Sequence, residues 1–226
     1  MAKALDLEEQ EQLDQIKHFW NQYGNLISWV LIIVLGGYAA WNGYQYWQRD
    51  QASKAAVLFD EVERAVTAGD KSRIERSLAD MKDKFGGTHY AHQAALLAAK
   101  ALQSNDPSDA ARAALKWVVD GAPDPAYRDI ARMRLAAILL DAGSNDEALA
   151  QLSAPFTTAM AGLAADLRGD VLQAKGQKTE AVTAYQSAWQ LLADSPDYRR
   201  LVQAKLNALG LDLQAMTPAN ASGNAK

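Results

Sequence analysis

Two hydrophobic patterns divide the chain. Between Lys17 and Arg49 there is no Asp, Glu, Lys or Arg, and Leu26 to Leu35 form an almost unbroken apolar run. After Trp47 the apolar residues instead recur three and four positions apart with charges between them. The first pattern suits a helix facing lipid on all sides. The second suits amphipathic helices packed against one another. Trp20 and Tyr23 flank one end of the uncharged stretch, and Tyr44, Tyr46 and Trp47 flank the other. Tyr23 and Tyr44 would stand about 32 Å apart on a helix, which places two aromatic belts at the two faces of a bilayer. A buried soluble helix would not concentrate aromatics at both ends.

The segment before this span is acidic, with Asp6, Glu8, Glu9, Glu11 and Asp14 against Lys3 and Lys17. A cleaved signal peptide has a basic leading region and a shorter apolar core, so an uncleaved anchor is expected. Its orientation is not set by charge, because Lys3 and Lys17 on one side balance Arg49 and Lys54 on the other. Gly36, Ala40 and Gly43 share one face of the predicted helix. Small side chains there allow another membrane helix to approach closely, which makes them a candidate docking face.

Beyond the span, Ala55, Leu58, Phe59, Val62, Ala65 and Val66 predict a helix continuing from the anchor. Gly69-Asp70 predicts a turn, and Ile74, Leu78 and Met81 a second helix ending near Gly86-Gly87. A repeat then emerges. Ala136, Leu139, Gly143, Ala148 and Leu152 recur 33 residues later as Gly169, Leu172, Gly176, Ala181 and Tyr185. Ala99, Leu102, Ala111 and Leu115 give the same constellation 37 residues before the first of these copies, with Asp106 in place of the turn glycine. Small residues let paired helices touch, and a turn glycine supplies a left-handed backbone. This is the tetratricopeptide pattern of stacked helical hairpins. Ala154-Pro155 should cut one second helix short. Tyr198 to Leu209 reads as a closing helix stopped by Gly210, and residues 214–226 read as disordered. The expected fold is all-α: a single transmembrane helix followed by a tetratricopeptide-like solenoid. Its divisions are a tail over 1–20, an anchor over 21–47, an array over 48–210 and a second tail over 211–226.

Composition agrees, since 44 of the 226 residues are alanine and only 14 are glycine, which favours helix. The net charge is −4, and after Trp47 the balance is 21 basic to 22 acidic. No basic stripe for nucleic acid follows from this. The chain has no cysteine, which removes disulfides and thiol chemistry. His89 and His92 have a spacing that suits two metal ligands, but no third ligand lies near in sequence. No phosphate-binding loop, nucleophile elbow or zincin motif is present. Neither catalysis nor a cofactor is expected.

In such arrays the first helix of each hairpin lines a concave face that commonly binds peptide segments. The repeat frame places Gln93, Leu96, Lys100 and Gln103 on that face. Ile130, Met133, Ala137 and Leu140 follow, then Asp166, Asp170 and Gln173. The candidate groove is apolar in the middle and polar at its ends, which suits an apolar or extended segment. Several of these residues have an alternative use, packing under the neighbouring hairpin.

Several stretches carry a family resemblance. They are Gln15-Ile16-Lys17-His18-Phe19-Trp20-Asn21-Gln22-Tyr23-Gly24 before the span and Tyr44-Gln45-Tyr46-Trp47 at its end. Gly87-Thr88-His89-Tyr90-Ala91 and Met133-Arg134-Leu135-Ala136 follow. Ala165-Asp166-Leu167-Arg168-Gly169-Asp170, followed by Lys175-Gly176, is the most specific. With them the chain resembles the YfgM family, the ancillary subunit of the bacterial Sec translocon, over nearly its whole length except the C-terminal tail. The resemblance implies a signal-anchored inner-membrane protein with a cytoplasmic N-terminus and a periplasmic tetratricopeptide-like domain. It implies association with the SecYEG channel and the membrane-anchored periplasmic chaperone PpiD. It further implies help in passing secreted polypeptides to periplasmic chaperones, and a link to envelope-stress signalling. The rival function that shares the other sequence features is a membrane-tethered scaffold of another envelope complex, in cell division, wall synthesis or stress signalling.

Overall fold

The computed structural model describes residues 7–103 and 109–211, and side chains from residue 11 onward. Asp106 and the 214–226 stretch lie outside the described residues. Every regular element among the described residues is a helix. Helix α1 runs Leu7–Thr67, α2 Lys71–Phe85, α3 His89–Gln103, α4 Asp109–Gly121 and α5 Pro125–Asp141. Helix α6 covers Asn145–Gln151, α7 Thr158–Ala174, α8 Lys178–Leu191 and α9 Pro196–Ala208. The chain divides into two compact units at Ser53/Lys54.

In the first unit, α1 keeps its apolar side chains exposed around its whole circumference. Trp29, Leu31, Ile33, Leu35, Tyr38 and Trp41 all stand free. The helix is long and apolar enough to cross a membrane, with a mean hydropathy of 1.6 over its most apolar stretch. Such an all-round apolar surface would be costly in water and is the surface of a lipid-embedded helix.

In the second unit each helix from α2 onward packs against the next, and the first helices α3, α5 and α7 also touch in order. That is the pattern of a solenoid. The turns show why it forms. Gly69, Gly143, Gly176 and Gly210 all have positive φ, between 68° and 88°. At each one the next residue's N–H reaches back to the carbonyl five residues earlier: Asp70 to Ala65, Ser144 to Leu139, Gln177 to Leu172 and Leu211 to Leu206. These are Schellman caps, which close a helix on its own last carbonyls and turn the chain sharply. The turn expected at Gly69-Asp70 is therefore present, closed by the same cap as the repeat turns.

The repeat residues form the core. Ala99, Leu102, Ala111, Leu115, Ala136, Leu139, Ala148, Leu152, Leu172, Ala181 and Tyr185 are all buried. A Cβ added to Gly169 would lie 2.4 Å from the Tyr185 ring, so only glycine permits α7 and α8 to sit this close. Gly162, two turns earlier, holds the same relation to Leu192 at 2.7 Å.

Candidate functional site

The predicted concave face is assembled on α3, α5 and α7, and its residues have unequal fates. Gln93 is exposed and donates from Nε2 to the Tyr127 hydroxyl at 2.8 Å. Lys100 is exposed and Gln103 half-buried. Leu96 is buried in the core, and its carbonyl accepts from Arg134 Nη1 at 3.0 Å, which ties α5 to α3. Ile130, Met133, Ala137 and Leu140 are half-buried, so an apolar strip does run along α5.

The α7 end is different, because α9 lies over it. Lys205 Nζ donates to both oxygens of Asp166 at 2.9 Å and stands 2.7 Å from Asp170. The Tyr198 hydroxyl donates to Asp166 at 2.9 Å. The Tyr185 hydroxyl donates to Asp170 at 2.7 Å, with the Gln173 side-chain amide 3.0 Å from the same oxygen. Burial, then the adjacent carboxylates, push both tyrosines above their ordinary pKa, so the hydroxyls stay protonated as donors. Asp166 is only 2% exposed. With both aspartates engaged, these two residues pin the closing helix to the array.

A second clamp sits one hairpin earlier. Asp129, also 2% exposed, accepts from the Arg132 guanidinium and from the Thr157 backbone N–H, the latter at 2.8 Å. Arg132 also donates to the Pro155 carbonyl at 2.8 Å and lies over the Phe156 ring at 4.2 Å. Burial alone would raise the Asp129 pKa. The Thr157 N–H and the Arg132 charge outweigh it and hold the carboxyl below its ordinary value. Through these bonds the loop after α6 is fastened to α5.

That clamp has a geometric consequence. Pro155 disfavours helical backbone at Ala154, so α6 stops after 7 residues while its counterpart α8 runs 14. The loop is then drawn toward α5 instead of continuing beside α8. What remains is an open groove of about 800 Å³ between α6 with its loop, α7 and α8. Leu149, Leu152 and Phe156 form one wall, Ala161, Ala164 and Ala165 the floor, and Ala184 and Leu191 the far wall. Arg168 and Lys175 stand along it. By helical spacing these α7 positions lie on the side of the helix away from Asp166, Asp170 and Gln173. Sequence reasoning missed this groove, although its cause, Ala154-Pro155, was visible.

His89 and His92 are separated in role. His92 is fully buried, stacked on Trp117 at 4.9 Å and near Tyr127 at 6.3 Å. Burial holds it below its ordinary pKa. Lys82 Nζ sits 5.1 Å over the opposite partner ring, Trp117. His89 is exposed, beside Tyr127. No group of three or more His, Asp or Glu among the described residues is placed to hold a metal ion. On the anchor, Gly36, Ala40 and Gly43 are exposed along one face, and a Cβ at either glycine would meet nothing within 4 Å.

A lipid-type helix joined in sequence to Schellman-capped hairpins repeating at 33 residues defines a membrane-anchored tetratricopeptide-like protein. A family model described as a tetratricopeptide repeat-like domain matches residues 17–211. The chain is 33% identical over 207 residues to a protein of Neisseria gonorrhoeae named ancillary SecYEG translocon subunit, covering 91% of this chain and 99% of that one. Proteins of the same name from Aggregatibacter actinomycetemcomitans, 31% identical, and Escherichia coli, 26% identical, are covered over 100% and 97% of their lengths. The chain belongs to this family of ancillary SecYEG translocon subunits. No solved structure matches it.

Proposed function

We propose that this chain is a single-span adaptor of the Sec translocon, held in the bacterial inner membrane by α1. What supports this reading most is its end-to-end similarity to proteins named for the SecYEG channel. The similarity includes the anchor as well as the array, because the family match begins at residue 17. In this reading residues 1–20 are cytoplasmic, 21–47 span the membrane, 48–210 form the periplasmic array and 211–226 trail from it. The exposed face of Gly36, Ala40 and Gly43 is where a channel helix approaches. The array contacts secreted polypeptides and the membrane-anchored chaperone PpiD, and helps substrates pass from channel to chaperone. It works by contact instead of chemistry, in keeping with buried carboxylates engaged in holding helices and loops together.

Two measurements test the proposal. Photo-crosslinkers placed one at a time from Leu26 to Trp47 should link to SecYEG helices, strongest near Gly36, Ala40 and Gly43. Links only to components of a division or wall-synthesis complex would replace the Sec reading with that of a scaffold. Reporter fusions at the C-terminus should be active only in the periplasm. A cytoplasmic array would end the chaperone hand-off.

A further inference from the structure

We propose that the groove beside α6 seats a short amphipathic helix of a partner polypeptide, lying where the rest of α6 would run and pairing an acidic residue with Arg168. This deepens the adaptor reading and rests on it.

The shape of the occupant follows from the repeat itself. Helix α8 has 14 residues and α6 has 7, so half of one helix is missing from the stack. The missing half corresponds to about two turns, or about 10 Å of helix. Its absence leaves its would-be neighbour uncovered. Leu191, at the end of α8, is 52% exposed, although the same helix buries Ala181, Ala184, Tyr185 and Ala188. The floor is made by Ala161, Ala164 and Ala165, and small residues allow close approach of a helix backbone. A helix laid there would regain the packing that α6 gives up at Pro155. This is the helix-in-groove mode of peptide recognition.

The charge of the occupant follows from the ionisable side chains along the groove: Arg168, Lys175 and, in the first turn of α8, Glu180. Lys175 is already paired with Asp146 of α6. Arg168 is exposed and makes no ion pair or side-chain hydrogen bond among the described residues. A guanidinium beside an apolar floor favours a carboxylate on the partner, and disfavours a partner with a cation at that place. Arg168 also belongs to Ala165-Asp166-Leu167-Arg168-Gly169-Asp170. The two aspartates of that stretch hold α9, whereas Ala165 and Arg168 face the groove on the other side of α7.

The test uses the full chain in lipid nanodiscs and a fluorescent, hydrocarbon-stapled helix of about three turns. The probe carries leucines along one face and one glutamate on its flank; a second probe has lysine in place of the glutamate. The glutamate probe should bind about fivefold more tightly than the lysine probe. Arg168→Glu should reverse that preference, and Leu191→Asp should weaken both probes about tenfold. Both substituted residues are exposed, so the fold should survive, as helical circular dichroism checks. Equal binding of the two probes, unaltered by either substitution, would overturn the proposal. So would an increase in probe binding when residues 212–226 are removed, which would make the tail the occupant. A dimer abolished by Leu191→Asp would likewise overturn it in favour of a second copy. Failure of the groove with anchor crosslinks to SecYEG intact would leave the adaptor reading standing.

Discussion

The hairpins α5–α6 and α7–α8 are copies of one another 33 residues apart, yet one is open and the other closed. Both turn on a glycine with positive φ and the same Schellman bonds. They differ at the positions that set how far the pairing extends. The second hairpin has Gly162 and Gly169, which let Leu192 and Tyr185 close onto α7 along its length. The first has Asp129 and Ala136 at the equivalent places, with Leu152 in place of Tyr185. Its partner helix is cut at Gln151, and Asp129 binds the departing loop instead. The polar anchor has also moved: Asp166 of the second hairpin stands where the first has Met133. A repeat can therefore keep its turn and change its groove by relocating one carboxylate and one proline.

The largest effects should come from the two buried carboxylate clamps. Lys205→Ala leaves Asp166 buried without its cation and should cost about 3 kcal/mol in denaturant unfolding. Asp129→Ala should cost a similar amount, about 3 kcal/mol, but act on a different part of the chain. Amide exchange should rise around α9 in the former and over residues 153–157 in the latter. If both substitutions loosened the same segment, the two hairpins would not be separately clamped.

Close packing in the second hairpin should be the next most sensitive feature. Gly169→Ala drives a methyl group into the Tyr185 ring and should cost about 2 kcal/mol. Adding Tyr185→Leu copies the Ala136/Leu152 pair of the sister hairpin. The double variant should recover part of the loss, less the hydrogen bonds of the Tyr185 hydroxyl. A double variant no better than the sum of its parts would show that the small and large positions are not coupled.

A smaller, pH-dependent effect belongs to the α3–α4–α5 region. Burial depresses the His92 pKa in the folded protein, so its contribution is complete above the unfolded value of about 6.5 and declines as pH falls below it. The slope is at most about 1.4 kcal/mol per pH unit. His92→Phe should keep the stack on Trp117 and flatten the unfolding midpoint across this window. Asp129 also has a depressed pKa. Its contribution is therefore lost only in the more acidic range, through a folded value below that of an ordinary carboxylate. A midpoint in His92→Phe that still fell between neutral and mildly acidic pH would assign the effect elsewhere.

Much of this fold was legible in the sequence because it rests on local rules. The uncharged stretch, the turn glycines, the 33-residue spacing and the short α6 each depend on residues close together in the chain. The surfaces were less legible. Asp166 and Asp170 read as a polar end of a concave face, since a carboxylate on a helix does not announce a partner 39 or 35 residues away. Leu96 falls on the predicted face by register but is drawn into the core by its neighbours. Ala154-Pro155 announced a shortened helix. That the space left would be an open groove depends on where Asp129 and Arg132 pull the loop, which is a tertiary matter.

As proposed above, the array meets its partners through the groove left by α6, apart from the first-helix face that α9 partly covers. Photo-crosslinkers at Leu191 and Ser187 in the groove, compared with Gln93 and Lys100 on α3, test this in membranes carrying SecYEG engaged with a secreted chain. The predicted result is links to the secreted chain or an identified chaperone from Leu191 and Ser187, weakened by Arg168→Glu. Links from Gln93 and Lys100 alone, with the groove positions silent, would contradict it.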